Sequence, residues 1–210
     1  MPGALVISDG SLAGVVACAI EAERRADAGP SVVWAGDLLG QIPAFDRDAM
    51  QRAVRSQAEL LGLEVLDRPV LGRGEQVPEG SGTAQSMALM TAAQQAADLG
   101  IRRVVWAVQF GTIGAEPDLD RIASTIDRCL LVSRLISLDL WDLPSPPVPE
   151  VRVETPLVDL SDGQLVDLAL DLGAPVGHVW WMDRHSDAAL AERKRWDPVL
   201  TSLGWVAQPA

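Results

Sequence analysis

Cysteine is scarce in this sequence: only Cys18 and Cys129 occur among 210 residues. Two thiols exclude a structural zinc site built from four cysteines. Sparse use of cysteine also favours a reducing compartment such as the cytoplasm. Both residues fall in predicted amphipathic helices, where we expect them to be buried as small apolar side chains.

Long apolar runs and basic charge are also in short supply. No stretch approaches the roughly 18 consecutive apolar residues of a membrane-spanning helix. The first residues, MPGALVISDG, lack the basic start and long apolar core of a signal peptide. The net charge of −12 creates a field that repels nucleic-acid phosphates and anionic membranes. We therefore expect a cytoplasmic protein that binds neither nucleic acid nor membranes.

Strand and helix patterns alternate along the chain. Apolar runs predict five strands: ALVIS, SVVWAG, LEVLDRPVL, RRVVWAVQF and VRVETP. Helices are predicted over 11–28, 46–61, 83–99, 119–138, 161–172 and 187–203. This order predicts an α/β fold with an open, mostly parallel five-stranded sheet, Rossmann-like, with helices on both faces. Ligands of such sheets bind beyond the carboxyl ends of the strands. The segments expected to converge there are 8–14, 35–41, 72–82, 109–118 and 154–156.

The first turn, Ser8-Asp9-Gly10-Ser11, connects a predicted strand to a predicted helix. Phosphate cradles share this layout, because free N–H groups at a helix N-terminus bind anions. Asp9, however, places a carboxylate where a phosphate would lie. At about 4 Å, two unit charges repel by about 1 kcal/mol in water and about 4 kcal/mol at an effective dielectric near 20. Either the carboxylate accepts the helix N–H groups itself, as an N-cap does, or a working phosphate site remains.

The turn and three later segments resemble, in order, the 7-cyano-7-deazaguanine synthase family of PP-loop ATP pyrophosphatases. The turn is similar to Ser-Gly-Gly-x-Asp-Ser, and QVPEGSG to the Val-Pro-Gly-Arg-Asn loop. AEPDLDR resembles Tyr-Pro-Asp-Cys-Arg, and VETPLVDLSDGQLVDLALDLGAPV looks like the region from a Thr-Pro pair to Leu-Gly-x-Pro. The resemblance implies an adenine nucleotide alpha-hydrolase-like fold, ATP and Mg²⁺ as cofactors, conversion of an acid to a nitrile, and a homodimer.

Several positions depart from the family pattern. Asp9 stands at the first glycine, Leu12 at the aspartate and Ala13 at the second serine of the turn. Gly80 and Ser81, or their neighbours, replace the Arg-Asn pair of the later loop. The four cysteines of the family's zinc module are missing, so we expect no zinc and assign no metal ligands.

Eight residues are the candidates for a cofactor-binding site, and no catalytic residue is assigned. Asp118 is either a substrate-side carboxylate or the N-cap of the following helix. Gln41 either matches the family's Gly-Gln after the second strand or is an exposed loop residue. Residues 1–180 are interpreted as a PP-loop ATPase-like domain and 181–210 as a helical tail that replaces the zinc module. The candidates are Ser8, Asp9, Gly10, Ser11, Gln41, Gln109, Asp118 and Arg121.

Three functions stay open. The first is a degenerate homologue of the synthase, without ATP-pyrophosphatase activity, that binds a purine-like or nucleotide ligand or serves as a non-catalytic partner subunit. The second is an active ATP-dependent carbon–nitrogen ligase of 7-deazaguanine (queuosine-type) metabolism. The third is a dimeric interaction protein with a vestigial cleft. Changes in the turn, the later loop and the zinc module together favour the first and third.

Tryptophan is abundant, with seven copies and no tyrosine. Core packing, a dimer interface and stacking on a ligand are all compatible with a cluster in the last third of the chain. The clustered residues are Trp141, Trp180, Trp181, Trp196 and Trp205.

Overall fold

The computed structural model describes residues 3–24, 29, 31–66, 78–111 and 117–205. Its five strands are β1 (Leu5–Ser8), β2 (Val32–Ala35), β3 (Glu64–Val65), β4 (Arg103–Trp106) and β5 (Arg152–Glu154). The third predicted strand, LEVLDRPVL, is therefore paired over two residues, and its positions 67–71 lie outside the described residues.

The described α-helices match the predicted ones to within a few residues at their ends. They are α1 (Leu12–Arg24), α2 (Arg47–Leu60), α3 (Gly82–Asp98), α4 (Leu119–Trp141), α5 (Asp162–Asp171) and α6 (Asp187–Ser202). Short 3₁₀ turns cover Ala44–Asp46 and Val176–His178. Within the described chain, no helix combines the length and apolar character needed to cross a membrane.

The strands form one sheet in the order β3-β2-β1-β4-β5, and every neighbouring pair is parallel. The expected five-stranded α/β fold is confirmed. The chain winds outward from β1 to β3, then crosses back to place β4 on the other side of β1. This reversal between β1 and β4 opens a crevice at their carboxyl ends, which is where open α/β sheets bind ligands.

Two apolar layers cover the sheet. One joins α1, α2, α5 and α6, and the other joins α3 and α4. The central α1 is buried from Leu12 to Ala19 because it lies between the sheet and α5. Cys18 and Cys129 are buried free thiols, one in each layer, and burial raises both pKa values to about 12. They pack as small apolar side chains, as expected.

Candidate ligand cavity at the sheet's switch point

A cavity of about 350 Å³ opens at the carboxyl ends of β1, β2 and β4. Its floor comes from the segments that follow these strands, and one wall comes from the chain leading into α6 and from α6 itself. From the sheet edge, the lining includes Asp9, Ser11, Gly36, Gln41, Trp106 and Gln109. From the C-terminal wall, it includes Trp180, Ala188, Ala191, Glu192, Arg195 and Trp196.

The turn after β1 is held by its own side chains. The buried Ser8 hydroxyl accepts the Gly10 N–H at 3.1 Å, and Gly10 has a positive φ of 71°. The Asp9 carboxylate accepts the Ser11 N–H at 2.9 Å, and the Ser11 hydroxyl accepts the Gly14 N–H at 3.3 Å. Ser11 therefore caps α1, and Asp9 binds the N–H of the capping residue. Asp9 accepts a backbone N–H of the turn, as one of the two alternatives for it proposes. That N–H belongs to Ser11, however, one residue before α1 begins, so Asp9 is not itself the N-cap.

This turn also packs tightly against its surroundings. A Cβ at Gly14 would overlap the Ser8 hydroxyl, which would then have to rotate away from the Gly10 N–H that it accepts. The Gly10 carbonyl accepts the Trp180 N–H at 3.0 Å and the Gln57 side-chain amide at 3.1 Å. The C-terminal wall is thus bonded directly to the turn.

Asp9 lines the cavity and has a strongly shifted pKa. Burial raises its pKa from an ordinary 3.8 to about 6, although its hydrogen bonds with Ser11 act in the opposite direction. The negative charges of Asp37 and Glu192 raise the pKa further. Glu192 also lines the cavity, where its carboxylate accepts the Trp196 indole N–H at 2.8 Å. Two carboxylates therefore border the same void.

Arg195 is the one cationic side chain among the described residues that line this cavity. Its Nε and Nη2 atoms donate to both oxygens of Asp162, at 2.9 and 2.6 Å. Nη2 also donates to the Gln109 side-chain oxygen at 2.6 Å and to the Gly111 carbonyl at 2.9 Å. Since Asp162 is buried in the first turn of α5, this bidentate pair neutralises the positive charge of Arg195.

Gln109 is a positioning residue within this network. Its amide nitrogen donates to the carbonyls of Gly111 and Leu160, at 2.6 and 2.7 Å, and to Asp162 at 3.0 Å. Because its oxygen accepts from Arg195, both ends of the amide are engaged. A Cβ at Gly111 would overlap the Leu160 carbonyl, so glycine is required where this loop crosses the start of α5.

The structure separates the eight candidate residues into two groups. Four of them line the cavity, and Ser8 and Gly10 stabilise the turn after β1 through the hydrogen bond between them. Asp118 accepts the Arg121 N–H at 3.0 Å and so is the N-cap of α4. The Arg121 guanidinium lies 4.4 Å from the centre of the Phe110 ring, and neither residue lines the cavity. The four lining residues are Asp9, Ser11, Gln41 and Gln109.

The expected convergence of five segments is partly found. Segments 8–14 and 35–41 meet at the cavity together with Gln109. Glu154, at the end of β5, instead forms an ion pair with Arg103 at 2.9 Å. Residues 72–77 and 112–116 lie outside the described residues.

Sequence reasoning missed the contribution of α6. Ala188, Glu192 and Arg195 are separated by four and three residues, which places them on one helical face. That spacing was readable, but it does not say what the face contacts. Within the described residues, no group of three histidine, cysteine, aspartate or glutamate side chains is arranged to hold a metal ion.

No protein-family model matches the chain, and no curated protein matches it in sequence. Solved structures do match. The U34-tRNA thiolase NcsA from Methanococcus maripaludis, with its 4Fe-4S cluster, gives a TM-score of 0.52 at 13% identity, over 97% of this chain and 67% of that one. NMN synthetase from Francisella tularensis gives 0.47 at 14% identity, over 98% of this chain and 79% of that one. The conserved protein TT1542 from Thermus thermophilus gives 0.45 at 15% identity, over 98% and 91%. The chain is thus similar in fold to the thiolase NcsA.

Proposed function

We propose that this chain is a degenerate homologue of the 7-cyano-7-deazaguanine synthase type, which binds a purine-like ring and does not cleave ATP. The proposal depends on Asp9, whose carboxylate lies at the turn where this fold would hold phosphate and accepts the Ser11 N–H at 2.9 Å. The cavity keeps the position of a ligand site but has acidic chemistry.

The side chains at the cavity do not fit a triphosphate with Mg²⁺. Asp9 and Glu192 both border the void, and the charge of Arg195 is already matched by Asp162. A phosphate about 4 Å from one carboxylate would meet repulsion of about 4 kcal/mol at an effective dielectric near 20. In addition, the Ser11 N–H, which a phosphate cradle would use, is bonded to Asp9. The cavity therefore lacks the side chains that ATP cleavage would need.

A flat ring with N–H donors fits this cavity better. Ionised carboxylates only accept hydrogen bonds, so Asp9 and Glu192 suit the N–H groups along the edge of a guanine-like base. Trp106, Trp180 and Trp196 line the same cavity and offer apolar surface to a ring. The volume of about 350 Å³ lies at the lower end of the roughly 300–1,000 Å³ of small-molecule pockets.

A thermal-shift experiment tests the proposal with guanine, a 7-carboxylated 7-deazaguanine, and ATP with and without Mg²⁺. We expect the purine-like compounds to raise the melting temperature. The rise should be larger at pH 7.5 than at pH 5, because Asp9 is ionised above its pKa of about 6 and then accepts better. ATP should give no rise at pH 7.5, where Asp9 is ionised, and no release of pyrophosphate.

Two variants sharpen this experiment. Asp9→Asn should remove the pH dependence of the ligand shift, whereas Asp118→Asn, at the α4 cap outside the cavity, should preserve it. Asp9→Gly should strengthen ATP binding, because the repelling carboxylate is gone. Pyrophosphate release by the wild-type chain would overturn the proposal in favour of the active ligase. Unchanged ATP affinity in Asp9→Gly would refute the account based on charge.

A further inference from the structure

The long helix α4 has an apolar face on each side. Its inner face packs on the sheet and α3, with Ile122, Cys129, Val132 and Ile136 buried. Its outer face exposes large apolar side chains that no described segment covers. Their exposed fractions are Leu130 61%, Leu131 71%, Trp141 61%, Leu135 43%, Leu138 42% and Ile126 39%. A contiguous exposed apolar patch indicates an interaction surface, whereas singly scattered exposed apolar residues are ordinary.

The outer face is symmetric about its midpoint between Leu130 and Leu131. Four pairs of exposed residues at equal distances from this midpoint complement each other, whereas Trp141, farther out, has Asp120 as its counterpart. Asp127 and Arg134, three residues before Leu130 and three after Leu131, carry opposite charges. The matched apolar pairs are Leu130 with Leu131, Ile126 with Leu135, and Ala123 with Leu138.

These positions also share one side of the helix. Asp127, Leu130, Leu131 and Arg134 follow one another at spacings of three, one and three residues, so they lie around the centre of the outer face. Two identical helices packed antiparallel about a two-fold axis at the midpoint would place each residue opposite its match. Asp127 of each copy would then meet Arg134 of the other, with the leucines between the two ion pairs.

We propose that the outer face of α4 binds a second copy of this chain, with the two α4 helices antiparallel across a two-fold axis at Leu130–Leu131. A two-fold interface requires that the same patch complement itself, and the Asp127–Arg134 arrangement meets this condition. The rest of the surface opposes self-association, because each chain carries a net charge of −12. The centre of this face is apolar and locally neutral, so it lets two such chains approach.

The interface is independent of the cavity and of the proposed function. α4 lies in the layer with α3, whereas α6, which forms the cavity wall, lies in the layer with α1. Arg134 lies on the same face as the exposed Trp141, since its guanidinium is 5.4 Å from the centre of the Trp141 ring.

Charge reversal tests the proposal by sedimentation velocity over a range of protein concentrations. The wild-type chain should be a dimer at about 100 µM. Asp127→Arg and Arg134→Asp should each raise the dissociation constant at least about tenfold, because four like charges then face one another across the axis. The double variant D127R/R134D should return it to within about threefold of wild type.

Mixing provides a second arm. The two single variants, each dissociated alone, should associate when combined, since every Arg then faces an Asp. Asp167→Arg on α5 makes the same charge change in the other layer and should leave the dissociation constant unchanged. Circular dichroism confirms that each variant folds. A monomeric wild type at about 100 µM, or a double variant no better than the singles, would refute the interface.

Discussion

Two charged clusters lie at opposite ends of the same sheet, and they differ in how their charges are matched. At the amino end, Arg103 at the start of β4 lies between Glu21 of α1 and Glu154, which reaches back from the last position of β5, with nitrogen–oxygen distances of 3.1 and 2.9 Å. At the carboxyl end, Arg195 is paired with Asp162 at 2.6 Å. Asp9 and Glu192 lie next to that pair. They border the cavity, and neither forms an ion pair with a described cation.

The difference separates a structural cluster from the cluster that borders the candidate cavity. Each carboxylate that Arg103 contacts has a cationic partner, and these hydrogen bonds, Glu154 first, raise the pKa of Arg103. The amino-end cluster thus fastens α1 and β5 to β4. At the cavity, burial and like charges raise the pKa of Asp9 to about 6, which is typical of a group held for binding or chemistry. A carboxylate that borders a cavity without a paired cation is therefore a better indicator of a candidate site than a charged residue as such.

Removing the central cation of the amino-end cluster should have the largest effect. Arg103→Met leaves Glu21, which is 2% exposed, with the exposed Arg24 as its one ion-pair partner among the described residues. We expect the free energy of unfolding to fall by about 3–5 kcal/mol, as when one member of a buried ion pair is lost. Urea denaturation measures this. Arg102→Met, at the exposed neighbouring position, is the matched control, and a loss of less than about 1 kcal/mol for Arg103→Met would contradict the comparison.

Neutralising Asp9 should have the opposite sign. The folded protein holds this proton up to pH about 6, whereas an ordinary aspartate releases it near 3.8. Between these values the folded state binds more protons, so stability falls as pH rises through this window. Asp9→Asn should remove that slope and raise the free energy of unfolding at pH 7 by up to about 3 kcal/mol, since each unit of pKa is worth about 1.4 kcal/mol.

Urea titrations at pH 3 and pH 7 measure this effect. The variant and the wild type should agree at pH 3, where Asp9 is protonated in both the folded and unfolded chains. Asp118→Asn keeps a capping residue on an exposed site and should follow the wild type at both pH values. Equal slopes for Asp9→Asn and wild type would show that Asp9 is solvated like a surface carboxylate.

The smallest effect is expected for Glu154→Gln. Its side chain is 38% exposed, so solvent screens its attraction to Arg103. Surface ion pairs contribute about 0–1 kcal/mol, and the loss should shrink further in concentrated salt. Urea denaturation at low and high ionic strength measures it. A loss as large as that of Arg103→Met would mean that Glu154, and not the buried Glu21, depends most on the cation.

The fold could be predicted from the sequence because its signals are local. The Ser161-x-x-Gln164 pattern predicts a capping box at the start of α5, and the two residues do exchange hydrogen bonds there. Apolar runs ended by glycine gave the strands and helices to within a few residues. The length of β3 was less accessible: the described pairing with β2 covers Glu64–Val65, whereas the apolar run predicts a strand from 63 to 71.

The site was less predictable because its contacts span the chain. Arg195 meets Gln109 across 86 residues, and no local pattern encodes that contact. Sequence reasoning identified Asp9 as decisive, but its shifted pKa depends on burial by elements remote from the turn. Gln109 is a candidate because it follows β4. Only its contacts show that its amide holds Arg195 and the loop at Gly111 in place.

The wall supplied by α6 has a consequence for the order of events during synthesis. The five strands that the structure describes all precede residue 155, whereas Trp180, Glu192 and Arg195 complete the cavity later in the chain. A ribosome-bound chain can therefore assemble its sheet well before the cavity that would hold a ligand is complete. The proposed ligand would stabilise the finished protein but could not guide the early stages of its folding.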